Sequence, residues 1–276
     1  MKTVVFGPGY LGHRLAAALP DAVLVPGDIS DAAFVREALA AHDAVAVVNA
    51  AGKTGRPNVD WCETHQRETY RSNVIGPLVL AEACEARGAY MLHVGSGCVF
   101  YGPSPSPGGW REDDFANPIS YYSRTKYAAD LALSPLAHVG VARLRMPLDG
   151  APNARNLITK LSRYPFVIDV ENSVTVVDDF VAVAGELVRR RAQGVFHVTN
   201  PGVMRHRDLL AAYRAHVDPT HAAELIPAEE LTARGLASAA RSNCILASDR
   251  LAALGVAMPS IEVALPRLMA EYARRA

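Results

Sequence analysis

Thr3-Val4-Val5-Phe6-Gly7-Pro8-Gly9-Tyr10-Leu11-Gly12 is an apolar run followed by three glycines at GxGxxG spacing, with a helical pattern over 13–19 behind it. A glycine loop between a strand and a helix is the context that a dinucleotide fingerprint needs. Gly7 permits the tight turn, Gly9 lets the backbone approach a pyrophosphate, and Gly12 lets helix and strand pack closely. The N–H groups at the helix start, at Tyr10 and Leu11, and the helix dipole then favour phosphate charge. Such a loop arises by chance in isolation; its placement between strand and helix gives it weight.

Working outward, residues 22–25 read as a second strand and Asp28-Ile29-Ser30-Asp31 as a helix start. Asp28 stands near the place where an acid holds an adenosine ribose, but Pro26-Gly27 intervenes. Capping of the helix by Asp28 or Asp31 is the equal alternative. Arg14, just inside the first helix, is placed to meet a 2′-phosphate, which favours NADPH and leaves NADH open. A third strand, 43–48, ends at Asn49-Ala50-Ala51-Gly52, where Ala50, Ala51 and Gly52 are small enough for close approach of a cofactor or for plain tight packing. A helix is expected over 70–86, with Asn73 near its start, and a buried strand from Met91. Strands are also expected over 141–146, 166–170, 173–177 and 195–199, and helices over 156–164, 178–190, 207–216, 228–235 and 261–276. This alternation predicts an α/β fold, a Rossmann-like doubly wound parallel sheet with a smaller, mainly helical C-terminal substrate domain. The expected division is 1–146 with 172–200 for the NADP(H)-binding domain, and 147–171 with 201–276 for the substrate-binding domain.

The bulk properties exclude several classes. Among 276 residues, 28 Lys and Arg balance 28 Asp and Glu, so nothing calls for nucleic acid or an anionic membrane. No apolar run reaches spanning length, and the expectation is a protein without a leader, in the reducing cytoplasm. The four cysteines form neither a disulfide framework nor a CxxC pattern, and no metal site is expected. Helical faces at 81–86 or 178–190 are candidates for a homodimer contact, which the sequence does not decide.

The chemistry concentrates between Met91 and Lys126. A strand-end hydroxyl, Ser96, is followed by a thiol, Cys98, and then, past a proline- and glycine-rich loop, by Tyr122-Ser123-Arg124-Thr125-Lys126. On a helix, Tyr122 and Lys126 share a face. A free phenol has a pKa of about 10, so Lys126 is expected to stabilise its anion and to hold the cofactor ribose, while Ser96 donates to the same carbonyl oxygen. YxxxK alone is common, and Tyr121 is the competing aromatic. The ordering of glycine loop, strand-end serine and YxxxK is more specific than any one of them. Cys98 is either a small buried hydrophobe or a base that removes a proton beside the polarised carbonyl.

On these motifs the chain resembles the extended short-chain dehydrogenase/reductases. More narrowly it resembles the nucleotide-rhamnose synthase/epimerase-reductases, relatives of dTDP-4-dehydrorhamnose reductase and GDP-fucose synthase. The likeness rests on Gly55-Arg56-Pro57-Asn58-Val59-Asp60-Trp61-Cys62-Glu63, Gly95-Ser96-Gly97-Cys98-Val99-Phe100 and Tyr122 to Lys126. Arg143 to Pro147, Arg155 to Lys160, Asn200 to Val203 and Arg241-Ser242-Asn243 agree with it. The resemblance implies 3,5-epimerisation and 4-reduction of a nucleotide-linked 4-keto-6-deoxy-hexose. Ser96, Tyr122 and Lys126 would form the reductase triad, and Cys98 and Lys160 the epimerase acid/base pair. Thr54, Arg56, Asn58, Asp60, Asn156 and Arg241 would lie around the sugar nucleotide. A reductase without epimerase activity is the near alternative. A non-catalytic, cofactor-binding regulatory subunit is the remote one, disfavoured by the intact triad. The chain departs from the family in its GPGYLG loop, in a shorter, proline-rich segment between Cys98 and Tyr122, and in Arg205 where a serine is usual.

Overall fold

The structure, a computed structural model, describes residues 1–56, 58–238 and 240–276. Pro57, within the segment quoted for the family resemblance, lies outside the described residues, as does Ala239. In chain order the elements are β1 (Thr3–Phe6), α1 (Tyr10–Ala18), β2 (Ala22–Val25), α2 (Ala32–Ala41), β3 (Ala46–Asn49), α3 (Trp61–Thr64) and α4 (Gln66–Tyr70). After a π turn (Arg71–Ile75) come α5 (Gly76–Arg87), β4 (Tyr90–Ser96), a 3₁₀ turn (Gly97–Val99), α6 (Tyr121–Leu133) and β5 (Val139–Leu144). Then follow β6 (Pro147–Leu148), α7 (Leu157–Leu161), β7 (Phe166–Ile168), β8 (Glu171–Val176), α8 (Val177–Arg190), β9 (Gly194–His197) and β10 (Asn200–Arg205). The chain ends with α9 (His206–His216), β11 (Glu224–Ile226), α10 (Glu230–Ala233), α11 (Asp249–Ala253) and α12 (Ile261–Arg275).

Six strands form one sheet in the order β2-β1-β3-β4-β5-β9. β1 pairs in parallel with both β2 and β3, and β3 with β4. The order reverses direction between β1 and β3, which makes the C-terminal ends of those strands the switch point where ligands of doubly wound sheets bind. The strands Thr3–Phe6, Ala46–Asn49 and Tyr90–Ser96 are buried along their whole length, as parallel strands covered on both faces must be. Their apolar side chains join Val35, Leu39, Leu80, Leu133 and Val195 in a single core.

The residues fall into two compact units. The first is Met1–Val99, Phe115–Arg143 and Val181–Phe196; the second is Phe100–Asp114, Leu144–Phe180 and His197–Ala276. The sequence division ran 1–146 with 172–200, so 100–114 and 172–180 are where the two partitions differ most. The second unit holds a three-stranded sheet in the order β10-β8-β6 and a two-stranded one, β11-β7. Its core is built on Leu148, Ile158, Val176, Met204, Leu209 and Met269.

Several boundaries differ from expectation for local reasons. The first helix begins at Tyr10, within the glycine loop, with Gly9 as an N-cap that offers no side chain. The helix expected over 70–86 is broken by the π turn, which re-aims Asn73. The strand from Met91 does not break at Gly95: it runs through Ser96 because a Cβ on residue 95 would lie 2.9 Å from Val141 and 3.0 Å from Arg143, where only glycine lets the strands stay in register. Asn200-Pro201-Gly202 is the start of β10 rather than a terminating loop, and β11 and α11 were not anticipated. Among the described residues no helix is long and apolar enough to cross a membrane, and no group of three His, Cys, Asp or Glu side chains could hold a metal ion.

Candidate active site

The glycine loop follows β1 at the switch point. Gly7 has φ +98°, and a Cβ there would lie 2.4 Å from the Ala51 nitrogen, so the turn after β1 touches the turn after β3. A Cβ on Gly12 would meet the Gly7 carbonyl at 1.9 Å, whereas one on Gly9 would meet nothing within 4 Å. The loop is therefore closed on its sheet side and open over Gly9, where α1 begins without a side-chain cap or an acid in its first turn. That combination fits a phosphate of a dinucleotide. Asp28 spends one oxygen on the Ser30 amide at 2.9 Å and the Ser30 hydroxyl at 2.6 Å, and those bonds hold its carboxyl below the ordinary range. Capping of α2 belongs to Asp31, which accepts from Ala33 and Phe34. Of the two candidate caps, Asp28 is thus the one left out of the α2 cap, with Arg71 4.0 Å from its second oxygen. Arg14 is half-buried on α1.

Asn73 organises the far side of the loop. Its Oδ1 accepts from the Lys53 amide at 2.7 Å, and its Nδ2 donates to the Lys53 carbonyl at 3.0 Å and to the Thr125 hydroxyl at 3.1 Å. The segment after Ala50-Ala51-Gly52 is in this way pinned to α6. Glu63 adds a second tie, its Oε1 accepting from the Tyr121 amide at 2.8 Å. Neither Asn73 nor Glu63 stood among the candidate site residues.

Four of the expected catalytic residues lie in the first unit, and three of them come together. Ser96 ends β4, and its hydroxyl accepts from the Cys98 amide at 3.2 Å across the 3₁₀ turn. Tyr122, not Tyr121, is the phenol at the site: it shares a side-chain hydrogen bond with Ser96 and has Cys98 as a close neighbour. Burial, and then Cys98, hold its pKa above the ordinary value despite the Ser96 bond. The sequence reading has Lys126 stabilising the phenolate. The Lys126 amine is instead drawn inward, 2.9 Å from His93 Nε2 and 2.8 Å from the Val94 carbonyl. Burial brings its pKa down to about 8, against the upward pull of Asp130.

Behind Lys126 lies a second layer that was not anticipated. Asp130, one turn further along α6, accepts from Arg143 Nε at 2.7 Å, and both side chains are buried. His93, on β4, is fully buried and reaches Asn49 at the end of β3, Nδ1 to Nδ2 2.9 Å. The signal for Asp130 was present in the sequence: Tyr122, Lys126 and Asp130 stand at i, i+4 and i+8 on one helical face. His93 gave no such sign inside an apolar strand.

The remaining expected residues are spread over both units. Thr54, Arg56, Asn58 and Asp60 lie in the first unit, with Asn58 Oδ1 accepting from the Asp60 amide at 2.8 Å. Lys160, on α7, Asn156 and Arg241 belong to the second. Asn156 caps α7 and is buried. Its Oδ1 accepts from Ile158 and Asp149, and its Nδ2 donates to the carbonyls of Asp149 and Ala151. All four of its side-chain bonds are spent on shaping that loop.

A 180-residue stretch is 42% identical to the bifunctional dTDP-4-dehydrorhamnose 3,5-epimerase/dTDP-4-dehydrorhamnose reductase of Arabidopsis thaliana, covering 63% of this chain and 60% of that protein. The chain thus spans less than two thirds of that relative. Protein L780 of Acanthamoeba polyphaga mimivirus is 29% identical over 276 residues, 95% of each chain. The crystal structure of the L780 UDP-rhamnose synthase superposes with a TM-score of 0.91 at 28% identity, covering 98% and 99% of the two chains. The dTDP-4-dehydrorhamnose reductase of Bacillus anthracis, solved in complex with NADP, shares the fold with a TM-score of 0.84 at 23% identity, covering 98% and 100%. With the family match running over residues 1–274, the chain belongs to the RmlD substrate binding domain family.

Proposed function

We propose that the protein is an NADPH-preferring 3,5-epimerase/4-reductase of a nucleotide-linked 4-keto-6-deoxy-hexose, yielding an activated 6-deoxy-L-hexose such as rhamnose. The observation that carries this reading is the convergence of the Tyr122 phenol, the Ser96 hydroxyl and the Cys98 thiol at the end of β4. Two hydroxyl donors there can hold one ketone oxygen, and a thiol beside them can reach the adjacent carbon. Gly7, Gly9, Tyr10, Leu11 and Gly12 would cradle the cofactor's phosphates, with Ala50 to Gly52 alongside. NADPH bound there supplies hydride to C4.

The chain's own residues then have distinct tasks. Ser96 and Tyr122 polarise the ketone, and the thiolate of Cys98 takes a proton from the neighbouring carbon to leave an enolate on the same oxygen. Lys160 is the proposed acid that returns the proton, and Arg56, Asn58, Asp60 and Arg241 are the proposed contacts of the sugar nucleotide. In reduction Tyr122 passes its proton to the C4 oxygen as hydride arrives. The relatives named as rhamnose synthases and as a bifunctional epimerase/reductase support the epimerase half. Incubation with UDP-, dTDP- and GDP-linked 4-keto-6-deoxy-hexoses in D₂O, followed by NMR, tests it. Deuterium entering C3 and C5 without NADPH is expected. Its absence, with C4 reduction intact, would leave a 4-reductase alone, and no turnover of any of them would refute the proposal.

A further inference from the structure

Hydrogen-bond roles around Lys126 can be assigned by following the chain of donors outward. Asn49 Oδ1 accepts from the Ala51 amide at 3.1 Å, which fixes its carboxamide and turns Nδ2 toward His93 Nδ1 at 2.9 Å. Nδ2 only donates, so Nδ1 accepts and carries no proton. Burial holds His93 in the neutral form. A neutral ring bare at Nδ1 bears its proton on Nε2, and Nε2 faces Lys126 Nζ at 2.9 Å. An ammonium has three donors and no acceptor, whereas an amine has a lone pair. Only the amine makes both contacts: it accepts from His93 and donates to the Val94 carbonyl at 2.8 Å.

We infer that His93 is a positioning residue that favours the neutral amine of Lys126 in the cofactor-free protein, so that this lysine gives up its proton more readily than an ordinary one. This deepens the reductase reading and takes its functional meaning from it. Other titratable groups face Lys126 as well. Asp130, on the same helix, pulls toward the ammonium but shares its charge with Arg143 of β5, and burial outweighs it. Tyr122, one turn earlier, is a neutral phenol next to the thiols of Cys98 and Cys62. Loading of the Lys126 proton thereby becomes a step that cofactor binding can drive, since a ribose hydroxyl offers the acceptor that His93 does not.

The protein contains only four lysines, Lys2, Lys53, Lys126 and Lys160, so a ¹³Cε-lysine spectrum of the cofactor-free chain is simple to assign through Lys2→Arg, Lys53→Arg and Lys160→Arg. The Lys126 signal should titrate at or below about 8, at least two pH units under the rest. His93→Gln, whose side-chain oxygen accepts from an ammonium, should raise that midpoint by about one unit or more, a tenfold change in the acid constant. The ¹⁵N shifts of His93 in the wild type should show a protonated Nε2 and a bare Nδ1, a readout independent of whether the variant folds. A Lys126 midpoint above 10, an Nδ1-protonated His93, or no movement in His93→Gln would each overturn the inference. None of these measurements uses turnover, so their failure leaves the reductase reading intact, and loss of that reading leaves them valid.

Discussion

Changing Asp130 to asparagine removes the negative half of a pair that has almost no contact with water. Asp130 is 1% exposed and Arg143 3%, with Oδ2 2.7 Å from Nε. Asparagine keeps an oxygen that can accept the hydrogen bond, so the loss is chiefly the compensation of a buried guanidinium. Breaking one side of such a pair costs about 3–5 kcal/mol, and the retained acceptor puts this case near the lower end, at about 3. At 1.4 kcal/mol per decade that is roughly a hundredfold in the folding constant. With a urea m-value of about 3 kcal/mol/M, the midpoint should fall by about 1 M. The two tryptophans, Trp61 and Trp110, lie one in each unit. A Trp110→Phe background therefore lets Trp61 fluorescence report the unit that carries the substitution. Adding Arg143→Met, which removes the buried cation, should restore at least half of the loss. A single variant that loses less than about 1 kcal/mol, or a double variant no better than the single, would refute the account of the pair as charge compensation.

Tyr122→Phe should lower kcat for C4 reduction about 10²–10⁴-fold, the usual worth of a positioned proton donor, as read by NADPH oxidation at saturating substrate. Cys98→Ser should abolish deuterium exchange at C3 and C5 while leaving reduction of an already epimerised substrate within tenfold of wild type, as read by NMR. The pKa of His93 lies well below its ordinary 6.5 because it is buried beside Lys126. Below pH 6.5 the unfolded chain takes up a proton there that the folded chain refuses, so stability falls as pH falls. The slope contributed is about 1.4 kcal/mol per pH unit, continuing down to the folded-state pKa. Urea midpoints between pH 6.5 and 5 should show this slope in the wild type and a shallower one in His93→Gln.

Elements governed by local rules were readable from the chain. The apolar run 3–6 with its glycine loop, and the Tyr122–Lys126 spacing, depend on periodicity and turn chemistry within a few residues, and both reappear as β1, α1 and α6. Features that depend on partners distant in sequence were not readable. Gly95 looks like a strand breaker until Val141 and Arg143 are placed beside it, and then it is what the pairing of β4 with β5 requires. His93 reads as an apolar-strand residue until Asn49, 44 positions earlier, and Lys126, 33 later, close on its two nitrogens. The contacts of Lys126 were hidden for the same reason. Spacing on a helix places Lys126 near the phenol, but it does not reveal that β4 offers the amine two better partners.

Under the proposed function one oxygen serves two reactions, and the contacts of Lys126 bear on how. An enolate at C4 is stabilised by donors that keep their protons; a strongly acidic neighbour would protonate it instead. Tyr122, with its pKa held above the ordinary phenol value by burial and by Cys98, is suited to donate a hydrogen bond while remaining a phenol. The alkoxide that develops as hydride reaches C4 is far more basic than an enolate, and it can take the proton that the enolate cannot. A neutral Lys126 docked on His93 leaves the phenol in this weakly acidic state. A charged Lys126, released toward the phenol, would favour the phenolate that reduction leaves behind. In this scheme the protonation state of one buried amine separates the conditions for proton exchange from those for reduction, with a single pair of hydroxyl donors serving both.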